Sequence, residues 1–305
     1  MTEVRRPQRL RSGDRVAVVA PAGPMDAGRL EKGSAHLRDW GLEIDVMPTV
    51  LTRHERFPYL AGDDAARAAD FRDAWLDPQY AAVFCGRGGY GVQRLLQHLD
   101  LDELAGVDKV LVGFSDITAL HEAFNAQGLV TVHGPMAAAV EQLGALEGRE
   151  RLHDLLFEPE SVRDLLAPRA ARTVVGGTAE GRLLGGNLAL LAASLGTPTS
   201  VKPDGIVVLE DVGEDGYRVD RLLTQLLRSG WFDQVTGLVI GDFSEADDQG
   251  LVADVVRERL EPLGVPMVEG AVIGHEEVNL AVPLGLPVRL DAAVGTLTPL
   301  LPAFS

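Results

Sequence analysis

The sequence predicts an α/β protein with an N-terminal doubly wound domain, built on a mostly parallel sheet, and a smaller C-terminal mixed α+β domain. Short apolar runs at 16–20, 81–85 and 110–114 are bounded by Gly or Pro and alternate with amphipathic stretches. This alternation is typical of buried parallel strands joined by helices. In the second half, Pro-punctuated segments from 265 to 298 indicate short strands in a mixed sheet. A chain of 305 residues is also long enough for two domains.

Helix signals fill the gaps between these runs. Caps and glycine stops predict helices at 29–40, 65–76 and 117–126 in the first half, and at 187–195 and 219–227 in the second. Strands are expected at 172–184 and 205–210. The stretch from Glu141 to Arg172, which precedes these strands, is charged and is interrupted by Pro159 and Pro168. We therefore predict a first domain at 1–140, a linker at 141–171 and a second domain at 172–305.

Composition narrows the function classes. The 45 acidic and 28 basic residues give a net charge of -17, which repels nucleic acid phosphates and anionic lipids, so we expect neither as a partner. A single cysteine, Cys85, and the lack of an apolar run of signal or membrane length predict a cytoplasmic protein. An anionic substrate would then need local cations, for which Arg87, Arg182 and Arg218 are candidates.

Ser115 stands where a predicted strand turns sharply into a predicted helix. This position exposes a hydroxyl at the carboxyl edge of the sheet, and the backbone N–H of Asp116 can stabilise a developing oxyanion there. The sequence Gly-Phe-Ser-Asp differs from the Gly-x-Ser-x-Gly motif. The alternative is that Ser115 only caps the helix.

The run Gly86-Arg-Gly-Gly-Tyr-Gly91 follows another predicted strand and matches the dinucleotide pattern Gly-x-Gly-x-x-Gly. It does not follow the first strand, so nicotinamide binding is not favoured. The glycines instead suit a close approach of the backbone to a substrate, with the N–H of Gly88 or Gly89 as the second oxyanion donor. Arg87 would then hold a substrate carboxylate.

A serine nucleophile needs a base and an orienting carboxylate. Of the seven histidines, His133 and His275 follow strands in glycine-flanked loops, and spacing alone leaves both open. Glu210 ends an apolar strand, where its charge requires a partner, and Asp211 is its positional rival. Cys85 ends an apolar strand and is expected to be buried rather than reactive. There is no His-Glu-x-x-His, so a metal is not expected.

Six short motifs occur in an order that resembles LD-carboxypeptidases: Gly86-Arg-Gly-Gly-Tyr-Gly91, Gly113-Phe-Ser-Asp116, His133-Gly-Pro-Met136, Gly185-Gly-Asn-Leu188, Leu209-Glu-Asp211 and Gly274-His275. The resemblance covers nearly the whole chain. It implies Ser115 as nucleophile, His275 as base and Glu210 as its orienter, in an active site between the two domains. It further implies a cofactor-free reaction, with oxyanion donors at Gly89 and Asp116.

The same resemblance implies a substrate. LD-carboxypeptidases release the terminal D-alanine of murein tetrapeptides during peptidoglycan recycling, and Arg87, Gly88 and Asn187 are the expected substrate contacts. A sister group resembles microcin C immunity peptidases, which cleave aminoacyl-nucleotide mimics, and Tyr217 or Trp231 would then stack on the base. A homodimer is also implied. The alternative of another class, a non-catalytic α/β ligand-binding module, would need neither Glu210 nor His275.

Overall fold

The structure is a computed structural model that describes residues 3–166 and 171–305. In the first half, strands and helices alternate along the chain, and three short 3-10 helices lie at Pro48–Leu51, Leu96–His98 and Ser115–Ile117. The elements are β1 (Arg15–Val19), α1 (Ala27–Asp39), β2 (Glu43–Val46), α2 (Asp64–Leu76), β3 (Tyr80–Cys85), α3 (Val92–Leu95), α4 (Leu101–Leu104), β4 (Val110–Gly113), α5 (Thr118–Ala126), β5 (Thr131–His133), α6 (Val140–Gly144) and α7 (Leu146–Phe157).

The second half continues the alternation and then ends in short strands. A fourth 3-10 helix lies at Glu261–Leu263. The elements are β6 (Arg172–Val175), β7 (Thr178–Asn187), α8 (Leu188–Ser194), β8 (Ile206–Val212), α9 (Gly216–Arg228), β9 (Gly237–Ser244), α10 (Gln249–Leu260), β10 (Met267–Glu269), β11 (Val282–Leu284), β12 (Pro287–Asp291) and β13 (Thr296–Pro299).

Two sheets organise these elements. The first has the strand order β11-β5-β4-β3-β1-β2, and all of its pairs are parallel except β11 with β5. The second has the order β13-β12-β7-β8-β9-β10-β6, with a parallel centre and antiparallel strands at both edges. The predicted fold class, a mostly parallel α/β domain with a second mixed domain, is confirmed.

The alternation of side chains along β1 explains why its sequence is apolar throughout. Val16 and Val18 point into one hydrophobic cluster, whereas Ala17 and Val19 point into another on the opposite face. A strand with helices on both faces of its sheet buries every residue, so it lacks the polar alternation of a half-exposed strand. The same argument applies to β3 and β4, which are nearly or fully buried.

The predicted boundaries need two corrections. Strand β11 lies far beyond position 172, yet it pairs with β5 and extends the first sheet. The predicted linker, 141–171, contains helix α7 and most of α6, while its Pro168 lies outside the described residues. The predicted strand 172–184 is two strands, because Gly176 and Gly177 separate β6 from β7.

Within the described residues, no helix combines the length and apolar character required to cross a membrane.

Candidate active site

Ser115 follows β4 directly and is the first residue of a 3-10 helix, Ser115–Ile117, that leads into α5. Its φ of 64° is left-handed, a conformation that costs a serine about 1–3 kcal/mol and that occurs mostly at functional sites. Phe114 occupies the N-cap position, and no side chain caps this helix. The alternative in which Ser115 serves as a helix cap is therefore not what the structure shows.

The glycine loop after β3 approaches Ser115 closely. A Cβ on Gly88 would lie 3.0 Å from the Cβ of Ser115 and 3.1 Å from its Oγ, so only glycine fits at this position without displacing the serine. Gly89 has a φ of 107°, which also favours glycine. The N–H of Gly23 donates to the carbonyl of Gly88 at 3.1 Å, which fixes the loop from the other side.

Asp116 holds the far end of the same loop. Its buried carboxylate accepts a hydrogen bond from the N–H of Val92 at 2.8 Å, and burial raises the pKa of this carboxyl to about 6. The backbone N–H of Asp116 lies in the first turn of the 3-10 helix, where amides have no intrahelical acceptor. Its side chain thus fastens the glycine loop, and its amide is available to stabilise an oxyanion beside Ser115.

His275 and Glu210 form a hydrogen-bonded pair. Nδ1 of His275 lies 2.7 Å from Oε2 of Glu210, and the carboxylate is fully buried at the end region of β8. Burial by itself lowers the pKa of His275, but the hydrogen bond and charge of Glu210 outweigh it, so this pKa is raised. The pair fixes the ring through Nδ1, which leaves Nε2 to exchange a proton.

Two amide side chains fasten the loop that carries His275. Gln142 donates from Nε2 to the carbonyls of Gly274, at 3.1 Å, and Glu276, at 2.9 Å, which flank the histidine on either side. Asn279 accepts from the N–H of Gly274 at 3.1 Å. Gln142 belongs to α6, so the base is held partly by a residue from the first half of the chain.

The rival residues occupy different environments. His133 is fully buried, burial lowers its pKa well below the ordinary value, and neither ring nitrogen has a hydrogen-bond partner within the described residues. The carboxylate of Asp211 accepts from the N–H groups of Ala189 and Val212, both at 2.8 Å, and so ties together the backbone near α8. The structure thus pairs His275 with Glu210, whereas Asp211 is hydrogen-bonded to backbone near α8.

Ser115 and His275 line one cleft of about 930 Å³. Their two elements meet there, because the ring of Phe114 lies 4.8 Å, centroid to centroid, from the ring of His275. Gly88, Gly89 and Arg87 line the same cleft. A volume of this size suits a short peptide or another small molecule.

Other predicted contacts lie away from this cleft. Arg182 pairs with Asp204 and Arg218 pairs with Glu214, so of the three candidate arginines only Arg87 lines the cleft. Asn187 is buried and caps α8, because its Oδ1 accepts from the N–H of Leu190 at 3.2 Å. Asn187 is not part of the cleft lining, and its contact with substrate stays a prediction.

The aromatic residues proposed for base stacking also need correction. Trp231 is 1% exposed, packs in the hydrophobic core of the second sheet and is not part of the cleft lining. Tyr217 is exposed, but its ring packs against Arg218 and Arg221 and is not part of the cleft lining. Cys85 is fully buried, and burial raises the pKa of its thiol, as expected for an unreactive cysteine.

Several cleft residues escaped the sequence analysis, among them Arg53, Gln142 and Glu245. Arg53 follows a 3-10 helix and had no motif around it, and Gln142 lay in the predicted linker. Glu245 has a φ of 56° and, with Ser115, is one of two non-glycine residues with left-handed φ in the described chain. Sequence carries no direct signal for such a conformation. Over the same described residues, no group of three or more His, Cys, Asp or Glu is arranged to hold a metal ion.

Comparison with known proteins identifies the family. Residues 16–134 match the model of the LD-carboxypeptidase N-terminal domain, and residues 180–290 match that of the LD-carboxypeptidase C-terminal domain. A putative carboxypeptidase of Streptomyces coelicolor is 52% identical over 98% of this chain and 97% of its own length. The murein tetrapeptide carboxypeptidase of Pseudomonas aeruginosa is 38% identical over 91% of this chain and 93% of its own length.

Solved structures of other proteins have the same fold as this chain. A muramoyltetrapeptide carboxypeptidase from Oxalobacter formigenes superimposes with a TM-score of 0.77 at 28% identity, over 93% of this chain and 97% of that one. MccF in complex with glutamyl sulfamoyl guanosine superimposes with a TM-score of 0.84 at 20% identity, over 98% and 99%, and at that identity shows the shared fold alone. The chain is a serine-type peptidase and belongs to the LD-carboxypeptidase family.

Proposed function

We propose that this enzyme hydrolyses the LD-peptide bond before the terminal D-alanine of murein tetrapeptides. The observation that carries the proposal is the hydrogen bond between His275 and Glu210 at the cleft that also contains Ser115. Relatives at 32% and 38% identity, over 95% and 91% of this chain, are named as murein peptide carboxypeptidases. Together these support both the reaction type and the substrate class.

In the proposed mechanism Ser115 is the nucleophile. His275 removes the hydroxyl proton through Nε2 as Oγ attacks the carbonyl carbon, and Glu210 stabilises the resulting imidazolium. The N–H groups of Asp116 and Gly89 stabilise the oxyanion. The tetrahedral intermediate then expels D-alanine, whose amine takes the proton from His275. Water, deprotonated by the same histidine, attacks the acyl-enzyme and releases the shortened peptide and Ser115.

The second candidate substrate is an aminoacyl-nucleotide, as suggested by the neighbour that is bound to a sulfamoyl nucleoside. Two observations favour the murein peptide over it. The identity to that neighbour is 20%, whereas the named murein peptidases are closer in sequence. Trp231 is buried and Tyr217 is not part of the cleft lining, so neither of the predicted stacking rings is available there.

The proposal is tested by incubating the enzyme with a murein tetrapeptide and following alanine by mass spectrometry. We expect release by the parent enzyme and by a chelator-treated sample, because the nucleophile and the base are both side chains. Ser115→Ala is expected to release none. If the folded parent enzyme leaves the tetrapeptide intact but cleaves an aminoacyl sulfamoyl nucleoside, the second candidate replaces the first. If it cleaves neither yet binds a peptide, the non-catalytic module is supported.

Two further properties belong to the proposal. We place the enzyme in the cytoplasm, which the single cysteine supports. We also propose a homodimer, on the family resemblance alone, since Leu223 and Leu226 of α9 pack inside the chain and leave no apolar seam on that helix face. Light scattering of the purified protein at several concentrations checks the second point.

A further inference from the structure

A second groove, of about 390 Å³, adjoins the catalytic cleft. Arg53, Arg87 and Gly89 line both cavities. Gly23 forms part of its floor, and a Cβ there would lie 3.0 Å from the carbonyl oxygen of Gly88 and 3.3 Å from that of Tyr59. The floor is therefore backbone from three loops of the first domain.

The charge of this groove is opposite to that of the protein. Two of its lining residues are arginines and none is acidic, in a chain with a net charge of -17. Arg53 donates from Nη1 to the carbonyl of Pro58, and Arg87 donates from Nη1 to that of Pro24, both at 3.3 Å. Neither guanidinium forms an ion pair with a carboxylate of the described chain. Both therefore keep donors for an external anion.

Two tyrosine rings form the apolar part of the groove. Tyr59 and Tyr90 are 51% and 48% exposed, and both residues line the groove. Their ring centroids lie 6.1 Å apart. Rings with two or fewer free torsions beside arginines provide apolar contact area together with charge, at a low cost in side-chain entropy.

The groove is also within reach of the nucleophile. Gly88 contacts Ser115, and Gly89, the next residue along at a Cα separation of about 3.8 Å, lines the groove. An extended tetrapeptide spans about 13–14 Å. A tetrapeptide with the carbonyl of its third residue at Ser115 can therefore extend its first two residues along the glycine loop and into the groove.

We infer that this groove is the subsite for the distal, carboxylate-bearing part of the peptide substrate, with Arg53 and Arg87 binding the carboxylate and Tyr59 and Tyr90 contacting the adjacent apolar atoms. The inference rests on the proposed function, because it assumes that the substrate is an acidic peptide cut at Ser115. It adds Arg53 as a residue that determines substrate specificity without touching the reacting atoms.

Binding to the Ser115→Ala protein tests the inference without requiring turnover. Two probes are titrated by calorimetry: a murein tetrapeptide and the same peptide with its glutamyl carboxyl amidated. We expect the free carboxylate to bind about tenfold more tightly, which corresponds to about 1.4 kcal/mol. Adding Arg53→Gln should abolish this difference between the two probes. Arg56→Gln, the matched control, removes a nearby exposed charge that lines neither cavity and should preserve it.

The inference is overturned if Arg53→Gln weakens both peptides equally, changes neither, or if neither peptide binds. It is also overturned if adenosine monophosphate occupies the groove, seen as competition with the peptide that is lost in Arg53→Gln, because the anion recognised is then a phosphate. Thermal melting confirms that the variants are folded. The proposed function fails separately, if the parent enzyme with Ser115 intact releases no alanine from the tetrapeptide.

Discussion

His275 places its Nδ1 2.7 Å from Oε2 of Glu210, which lies 65 positions earlier in the sequence, in strand β8. The carboxylate is fully buried, so its charge is compensated mainly by this ring. The hydrogen bond determines which nitrogen of the imidazole faces the cleft. It also sets the pH range in which the ring can act as a base.

Glu210→Gln should change both the rate and its pH dependence. The neutral imidazole is the active base, so kcat/KM rises as the pH rises through the pKa of His275. Glu210 raises that pKa against the lowering effect of burial, and its removal should move the acidic limb to lower pH. The plateau should fall by about 10² to 10⁴-fold, because the amide no longer stabilises the imidazolium. A pH–rate profile of both proteins measures this, and an unshifted limb would contradict the role of Glu210.

Mutation of the two candidate bases, His275 and His133, should have different effects. His275→Ala should reduce kcat by at least about 10²-fold. His133→Ala should leave kcat per folded molecule within about tenfold and instead lower stability, because it removes a fully buried ring and leaves a cavity. Steady-state kinetics and urea unfolding of both variants separate the two effects. Equal losses of kcat would undo the assignment of His275 as the base.

Gly88→Ala tests the contact between the glycine loop and the nucleophile. The added methyl would lie 3.0 Å from the Cβ of Ser115, so the serine or the loop must shift. We expect kcat to fall by about 10²-fold or more, because small displacements of a reacting group are costly. Gly106→Ala is the control, since its Cβ would meet nothing within 4 Å and its φ is ordinary. A Gly88 variant with the activity of the control would show that the loop does not constrain Ser115.

Gln142→Leu should loosen the loop that carries His275. The variant keeps the size of the side chain but removes the hydrogen bonds to the carbonyls of Gly274 and Glu276. We expect kcat to fall about tenfold with little change in KM, because the base loses its position while the substrate contacts remain. Gln97→Leu, on an exposed surface, is the matched control. A change in KM alone would mean that Gln142 acts on substrate binding.

The fold could be predicted because the apolar runs and the helix signals in the sequence indicate the same alternation of strands and helices. Buried parallel strands such as β3 and β4 are continuously apolar, and glycines such as Gly41 mark the ends of helices. The place of β11 could not be predicted, because a three-residue strand has too little pattern to indicate its partner. The break between β6 and β7 was signalled by a glycine pair but read as part of one strand.

For the site, sequence located Ser115 by its position after a strand, but the choice between His133 and His275 depended on the family resemblance. The physical difference is burial: one ring is enclosed among apolar neighbours and the other reaches the cleft. Arg182 was a reasonable candidate by residue type alone. Its ion pair with Asp204 depends on the fold, and no local sequence pattern predicts such a partner. Arg53 was missed for the same reason.

The most direct test of the account is the identity of the acylated residue. The enzyme is mixed with a murein tetrapeptide, quenched in acid within the first turnover and analysed by intact mass and peptide mapping. We expect an adduct of the tripeptide acyl group on the peptide that contains Ser115, and none in Ser115→Ala. Release of D-alanine by the Ser115→Ala protein at the parent rate, or an adduct on a different residue, would contradict the account.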